Sequence, residues 1–528
     1  MSNSARGRKI LVIGIDGGCW SVLNRAIEAG AMPVLKEMMD QGGAGPLLST
    51  IPPKTPAAWG TFQTGKNPGA NGVFDFAWWD RSTHKSMYVS SASLQDTIWD
   101  LAGREGKRVG IVNVPMTYPP RMVEGKMVTG LLTPSLESEW TYPPSLKHEL
   151  LQAVPGYHIF NIKNIGPKRV HKNLPDFLDQ MAEILENRAR AAVFLMEQDS
   201  FDFFIVHFQA SDVVQHALWG YMSQDHPDYD ASLCKMIFRR FYTKLDEKIR
   251  DIREVFGRFA GGPFLTVVLS DHGFQTHFKR VNLGWWLRQE GFLKTRKISI
   301  RKCIEHKIKQ FCRTQNSLRA EVLWDQTSVY SFSRGNCGFL YFLENDPEKR
   351  KEIQRRLRHL LESLTDPETG RPIVKKIHSR DSIYQGVYID RMPDWVIDPT
   401  DGYSFTGDYL PGQKKLFEPV CRQTDFHVGM HHQEGILVVC GPGVKDNQRI
   451  TGAQILDLAP TLLAGLGVTI PNEMEGRILQ ELFTETLNEQ MSHTQKSPSA
   501  LDTKTASVYS KEDLDKIQQR LRDLGYIE

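Results

Sequence analysis

Three aspartates and three histidines stand directly beside strand-like apolar runs. Asp16 ends KILVIGIDGG. Asp212 and His216 lie in SDVVQH, just past FDFFIVHF. Asp271 and His272 follow FLTVVLS, and His431 lies in HVGMHHQEG, just before GILVVCGPG. Each piece alone has an ordinary explanation. An aspartate after a strand forms an Asx turn or caps a helix, SDHG reads as a turn, and Asp212 and His216 share one helical face simply by being four residues apart. Joint placement carries the information. In open α/β sheets ligands gather at the carboxyl ends of strands, and a mixed set of carboxylates and imidazoles suits two divalent cations better than six unrelated turns. His427 and His432, close by, read as surface residues or as supports for a ligand.

A seventh candidate is Thr55, in IPPKTPAAWGTFQTG (residues 51–65). Pro56 has no amide hydrogen and suits the first position of a helix. AAWGTFQT continues the helix and Gly65 ends it. Such a start offers free N–H groups and the positive end of the helix dipole to an anion. From this stretch alone an N-cap role for Thr55 is the simpler reading. A neutral threonine is a poor nucleophile, and only a metal beside the hydroxyl would turn it into an alkoxide.

The elements that must position these residues follow a βα rhythm. KILVIGIDGG, RVGIVNV (108–114), FDFFIVHF (201–208), FLTVVLSDHG (264–273) and GILVVCGPG (435–443) are short apolar runs of the kind buried in parallel sheets. Amphipathic helical patterns, over 176–198 and 242–259 among others, lie between them. This alternation predicts a three-layer α/β/α sandwich around a mainly parallel sheet. Two segments break it: an irregular insertion over 134–175 and a longer one over 281–424, expected to form a cap subdomain. Within the latter, RKISIRKCIEHKIKQFC places Ile300, Ile304, Ile308 and Phe311 at helical spacing with basic residues opposite, as in a helix docked on its own domain. The catalytic core is then 1–280 with 425–482. The polar stretch 483–508 reads as a flexible linker. Residues 509–528 read as a terminal helix with a capping-box-like start at Ser510 and Asp513 and an apolar face of Leu514, Ile517 and Leu521.

Bulk composition narrows the field. The 528 residues are 40% hydrophobic and 24% charged, as in an ordinary globular protein. Sixty-five basic and 62 acidic residues leave a net charge of +3, which gives no indication of a nucleic-acid partner. The seven cysteines form no CxxC pair or metal-type spacing and suggest reduced thiols. The N-terminal run ILVIGI is too short for a signal sequence, and no run has the length of a membrane span. A cytoplasmic protein is expected.

In their order, Asp16, KTPAAWGTFQTG, SDVVQH, LSDHGF and GMHHQEG resemble the alkaline phosphatase superfamily, and within it the type I phosphodiesterase/nucleotide pyrophosphatase branch and related phosphohydrolases. The segment ILDLAPTLLAGLGVTIPNEMEGRIL (455–479) and the ending LRDLGYIE are similar too, so the resemblance covers 1–132, 200–280 and 425–480. It implies one metal held by Asp16, Asp271 and His272 with the Thr55 hydroxyl, and another held by Asp212, His216 and His431. Thr55 would attack phosphorus in line to give a phosphothreonine. Three imidazoles with carboxylates suit Zn²⁺, and Mn²⁺ would accept the same ligands. The implied partner is a small phosphorylated substrate: a phosphodiester, a pyrophosphate or a monoester.

The chain also departs from that branch. Where Lys-Thr-Phe-Pro-Asn is usual it has Lys54-Thr55-Pro56-Ala57-Ala58. Where an asparagine normally follows a Gly-Ile pair it has GVFDF (72–76), with Asp75. Asn113 is a substitute donor to phosphate or a structural turn before Pro115. Lys54 reaches the phosphate or is a solvated loop lysine. A phosphomonoesterase or phosphomutase of the same superfamily is the nearest rival function, and a catalytically inactive binding protein a more distant one. A sulfatase is disfavoured, since those enzymes need a cysteine or serine where Thr55 stands. Specificity should reside in the two insertions, where Trp285 and Trp286 are either core or stacking residues. Activity should fall below about pH 6 as histidines protonate.

Overall fold

The computed structural model describes residues 8–159, 167–296, 321–333, 335–407, 415–420, 425, 427–492, 496–497 and 509–523. The chain divides into two compact units, Met1–Thr276 with Gln385–Ile389 and Phe426–Gly525, and His277–Tyr384 with Asp390–Asp425 and Tyr526–Glu528.

In the first unit the apolar runs become strands: β1 (Lys9–Ile15), β2 (Gly42–Leu48), β3 (Val109–Val112), β4 (Gly125–Val128), β5 (Thr141–Tyr142), β6 (Phe203–Phe208), β7 (Phe264–Leu269), β8 (Gly273–Thr276), β9 (Gly429–His432), β10 (Glu434–Cys440) and β11 (Gln448–Arg449). Except for β8 and β9 they form one sheet in the order β11-β2-β10-β7-β1-β6-β3-β4-β5, with Ala453–Gln454 also paired to β2. β1 runs parallel to β6 and β7, and β3 parallel to β6 and β4. β10 is antiparallel to both β7 and β2. The architecture is therefore mixed α/β, with a large and mainly parallel sheet.

Helices cover both faces: α1 (Thr55–Thr64), α2 (Leu174–Gln198), α3 (Ala210–Met222), α4 (Thr243–Ala260) and α5 (Leu458–Leu466). α2 and α4 pack together on one face, with Pro33–Asp40 against α4. α5 lies on the other, between α1 and Ile98–Arg104. Side chains alternate across a strand. Ile10 and Val12 of β1, Phe203 and Ile205 of β6, and Leu265, Val267 and Leu269 of β7 all join the core formed with Trp59, Phe62 and Leu463. The same parity, carried to the strand ends, sets Asp16, His207 and Asp271 on the α1 side of the sheet.

Two regions differ from the sequence reading. The insertion 134–175 is less irregular than its Pro, Tyr and His content suggests: Thr141–Tyr142 adds a strand to the sheet edge, and Leu146–Ala153 is helical, with Leu146 and Leu150 buried. The polar stretch expected as a linker from residue 483 opens with a helix, Glu485–Ser492, because Leu487 and Met491 reach the core. The terminal helix spans Lys511–Asp523. Its Ser510–Asp513 box forms, and Tyr509 Oη donates to the Leu132 carbonyl at 3.3 Å. Among the described residues no helix is long and apolar enough to cross a membrane, and the four described cysteines are free thiols.

The second unit carries a four-stranded antiparallel sheet of Val329–Ser331, Gly338–Phe342, Trp395–Pro399 and Val374–Ser379, and a three-stranded sheet of Tyr403–Thr406, Lys279–Asn282 and Phe417–Pro419. Trp286 is buried in its core with Leu287, Phe342 and Trp395, and Trp285 packs against that core. Both tryptophans are thus framework residues of this unit. The amphipathic pattern through Ile300, Ile304, Ile308 and Phe311 lies outside the described residues.

Candidate active site

Helix α1 begins at Thr55. The residue before it, Lys54, occupies the cap position in extended backbone, and Pro56 is second in the helix rather than first. Gly65 ends the helix in the left-handed region at φ 62°, as its sequence position predicts. Every residue of α1 is buried. Thr55 is therefore not the cap residue, and its Oγ1 lies 3.3 Å from His272 Nε2.

The three predicted histidines are built alike. His216, one turn after Asp212 on α3, hydrogen-bonds the Gly429 carbonyl through Nδ1 at 2.8 Å. His431 lies opposite Phe274 in the β8–β9 ladder and uses Nδ1 on the Pro53 carbonyl at 3.1 Å. His272 uses Nδ1 on the Gly273 carbonyl at 3.1 Å. A carbonyl only accepts, so each Nδ1 donates a proton, and in the neutral ring the lone pair sits on Nε2.

Those lone pairs converge on other acceptors. His216 Nε2 and His431 Nε2 are 3.0 Å apart, and lie 3.4 and 3.3 Å from Asp212 Oδ1. His272 Nε2 is 3.3 Å from Asp271 Oδ2 and 3.5 Å from Asp16 Oδ1. Asp16 and Asp271 are fully buried, yet both oxygens of Asp16 and Oδ2 of Asp271 accept no hydrogen bond. Leaving a buried polar atom unsatisfied costs about 1–3 kcal/mol, and more for a charge. Burial, and then the neighbouring Asp271 and Asp212, hold the Asp16 carboxyl well above the usual range, and burial likewise raises Asp271. Burial holds His216 and His431 well below the ordinary imidazole value.

Imidazole nitrogens and carboxylate oxygens converging in this way make a donor set that fits divalent cations. Two groups have ligand atoms within 4.8 Å of one another: Asp212, His216 and His431, and Asp16, Asp212 and His272. Asp212 belongs to both. Asp271, which the resemblance paired with Asp16, faces the same His272 nitrogen. The fold brings all seven predicted residues to one place.

The two predicted phosphate contacts fare differently. Lys54 is 6% exposed, and its positive charge helps to hold His431 down. It is not a solvated loop lysine. Asn113 stands at the end of β3 with a left-handed backbone, φ 59°. Its Nδ2 donates to the Thr129 carbonyl at 3.1 Å, and its Oδ1 accepts from Tyr157 Oη at 2.5 Å. Both ends of the amide serve the fold, which makes Asn113 a turn residue rather than a phosphate donor. Asp75 is buried with Oδ1 on the backbone N–H of Phe76.

Two neighbours escaped the sequence reading. Gln215 on α3 donates to the Gly17 carbonyl and accepts from Cys19 Sγ, bracing the turn after β1. His207, inside β6, has Nε2 at 3.0 Å from Asp16 Oδ2. Its one sequence signal was a histidine amid the apolar residues of FDFFIVHF.

Fold and site together define an α/β protein with a buried carboxylate–imidazole cluster at the carboxyl edge of its parallel strands. Residues 10–433 match the family model of type I phosphodiesterases/nucleotide pyrophosphatases. The chain belongs to that family, in the alkaline phosphatase superfamily, and is a hydrolase of phosphoric ester bonds. Among solved structures, human ectonucleotide pyrophosphatase/phosphodiesterase 5 is similar at a TM-score of 0.53 and 15% identity, over 90% of this chain and 100% of that one. An inactive form of the murine protein, in complex with AMP, is similar at 0.52 and 14%, with the same coverage. Phosphonoacetate hydrolase from Sinorhizobium meliloti, in complex with phosphonoformate, reaches 0.54 and 15%, over 88% and 96%. At such identities the likeness is one of fold. No curated protein matches the chain.

Proposed function

We propose that the chain hydrolyses a phosphodiester or pyrophosphate-type bond in a small phosphorylated substrate, with Thr55 as nucleophile and two divalent cations, zinc ahead of manganese. Asp212, His216 and His431 would hold one cation, and Asp16, Asp271 and His272 the other. The observation that supports this best is the convergence of imidazole Nε2 atoms and buried carboxylate oxygens beside the Thr55 hydroxyl. Bound cations would supply Lewis-acid activation of the hydroxyl and charge neutralisation at phosphorus.

The chain's own groups do the rest. Thr55 Oγ1 attacks phosphorus, the leaving group departs opposite, and water then cleaves the phosphothreonine to free the enzyme. The start of α1 and the buried Lys54 present positive potential to the phosphoryl oxygens. The imidazole Nδ1 bonds to Gly429, Pro53 and Gly273 fix which nitrogen faces the reaction. AMP and phosphonoformate in the two similar structures fit the small, anionic phosphorus compound proposed here.

The test is hydrolysis of a nitrophenyl phosphate diester and the matching monoester by metal-loaded protein, beside Thr55→Ala and Thr55→Ser. Faster diester cleavage, abolished in Thr55→Ala and partly kept in Thr55→Ser, is expected. Faster monoester cleavage would move the assignment to a phosphatase or phosphomutase, and full activity in Thr55→Ala would remove the nucleophile.

A further inference from the structure

Arg188, on α2, is a buried charge without a counter-charge. It is 3% exposed, and a guanidinium stays protonated at any ordinary pH. Of its five N–H groups two are engaged: one on Nη1 with Tyr157 Oη at 3.4 Å, and one on Nη2 with the Ile159 carbonyl at 3.0 Å. Both acceptors are neutral. Among the described residues no carboxylate pairs with Arg188, and Tyr157 is the one polar side chain that acts on it. Burying a charge is strongly unfavourable unless it is paired, and three N–H groups in a rigid fork are left to pair it.

The surrounding contacts hold the guanidinium in place and set it at the edge of the sheet that carries the site. Tyr157 donates its hydroxyl proton to Asn113 Oδ1 at 2.5 Å, and its ring stacks on Trp140 at 5.7 Å. Asn113 follows β3 at the carboxyl edge, where the pairing of Val112 with Val206 sets it beside His207 of β6. His207 Nε2 in turn lies 3.0 Å from Asp16 Oδ2. The strand order β1-β6-β3 puts Asn113 two strands along from Asp16, about 10 Å at about 4.8 Å per strand. That is too far for Arg188 to meet the phosphoryl group at Thr55, and within the span of one small substrate.

We propose that Arg188 binds a second anionic group of the substrate, a phosphate or a carboxylate remote from the phosphorus that Thr55 attacks. This rests on the phosphoryl-transfer reading above and deepens it, because it makes the substrate a compound with two anionic groups. The planar fork of an arginine suits the paired oxygens of either group.

The experiment is isothermal titration of alkyl phosphates into the zinc-loaded, full-length protein. The probes have three or six carbons and end in a hydroxyl, a carboxylate or a second phosphate. Wild type should bind a doubly anionic probe about 10- to 100-fold more tightly than the hydroxyl-ended one, and the end that gains more identifies the group that Arg188 meets. Arg188→Gln should lose this preference, and Arg188→Lys, which keeps the charge but not the fork, should retain part of it. Equal wild-type affinity for all three ends at both lengths would overturn the proposal, even where a variant does not fold. So would a preference that persists in Arg188→Gln whatever the change in overall affinity, the pattern of a framework arginine. Wild type binding none of the probes would instead remove the phosphoryl site itself.

Discussion

His216 and His431 meet Nε2 to Nε2 at 3.0 Å, while the Nδ1 of each is occupied by a backbone carbonyl, that of Gly429 or Pro53. One imidazole comes from a helix and the other from a strand 215 residues later. Two lone pairs at that distance make an unfavourable contact, and the chain places Asp212 Oδ1 against both. Positive charge at the centre would stabilise such an arrangement, which has consequences that can be measured.

Removing divalent cations should lower the melting temperature, and restoring zinc should raise it. A ligand at about 100 times its dissociation constant adds about 2.7 kcal/mol of stability. Calorimetry of chelated and reloaded protein measures this. His431→Gln should bind one ion fewer than wild type, and unchanged melting on chelation would contradict the site.

Acid behaviour follows from the direction of the shifts. His216 and His431 lie below their unfolded value of about 6.5, so the stability they contribute is complete above that value and is lost as pH falls from it toward their folded values. Asp16 and Asp271 lie above the unfolded value of about 3.9, so their contribution is complete below it and is lost as pH rises through their folded values. The metal-free cluster is thus burdened most by ionised carboxylates near neutrality. Zinc should raise the melting temperature more at about pH 7.5 than at about pH 5.5. The imidazoles resist protonation longer than free ones, so metal loss should continue below the pH of about 6 expected from unperturbed histidines. Metal content after dialysis across this range is the check, and complete release above pH 6 would contradict it.

Gly14→Ala should destabilise the protein by about 1–3 kcal/mol through overpacking, since the added Cβ would meet the Trp59 ring at 2.6 Å. Trp59 sits on α1 with Thr55, so turnover should fall along with stability. Denaturant unfolding and turnover measured on the same preparation test this, and an unchanged unfolding midpoint would contradict the packing argument.

Asn113→Ala should lower stability by about 1–3 kcal/mol by leaving Tyr157 Oη and the Thr129 carbonyl without their partners. Asn113→Gly, which accepts the φ of 59° freely, should be milder in its backbone cost. KM should stay near wild type in both. A raised KM with normal stability would return Asn113 to the phosphate site.

Much of this was readable in advance because burial in a parallel sheet leaves a plain mark: short unbroken apolar runs, each ended by the residue that emerges at the sheet edge. Asp16, Asp271 and His272 were found that way, and Asp212 with His216 from helical spacing just past β6. Gly65 ending α1 was equally legible. The reading failed where a polar or aromatic residue was placed by contacts distant in sequence. Nothing local decided between a phosphate donor and a structural turn at Asn113, because Tyr157 lies 44 residues away. The stretch from residue 483 looked like a linker because two apolar residues among polar ones give little local signal, yet Leu487 and Met491 are enough to seat a helix on the core.

The sequence by itself determined which residues could serve as ligands, the strands that deliver them, and the α/β class, since all three follow from local patterns of period and polarity. Only the tertiary structure decided which way each imidazole presents its lone pair, that Asp212 stands between both groups, and that His207 faces Asp16. Those depend on backbone carbonyls and strand partners hundreds of residues away. Hydrogen-bond direction and burial are properties of the surrounding fold, and a side chain read within its own stretch of sequence carries neither.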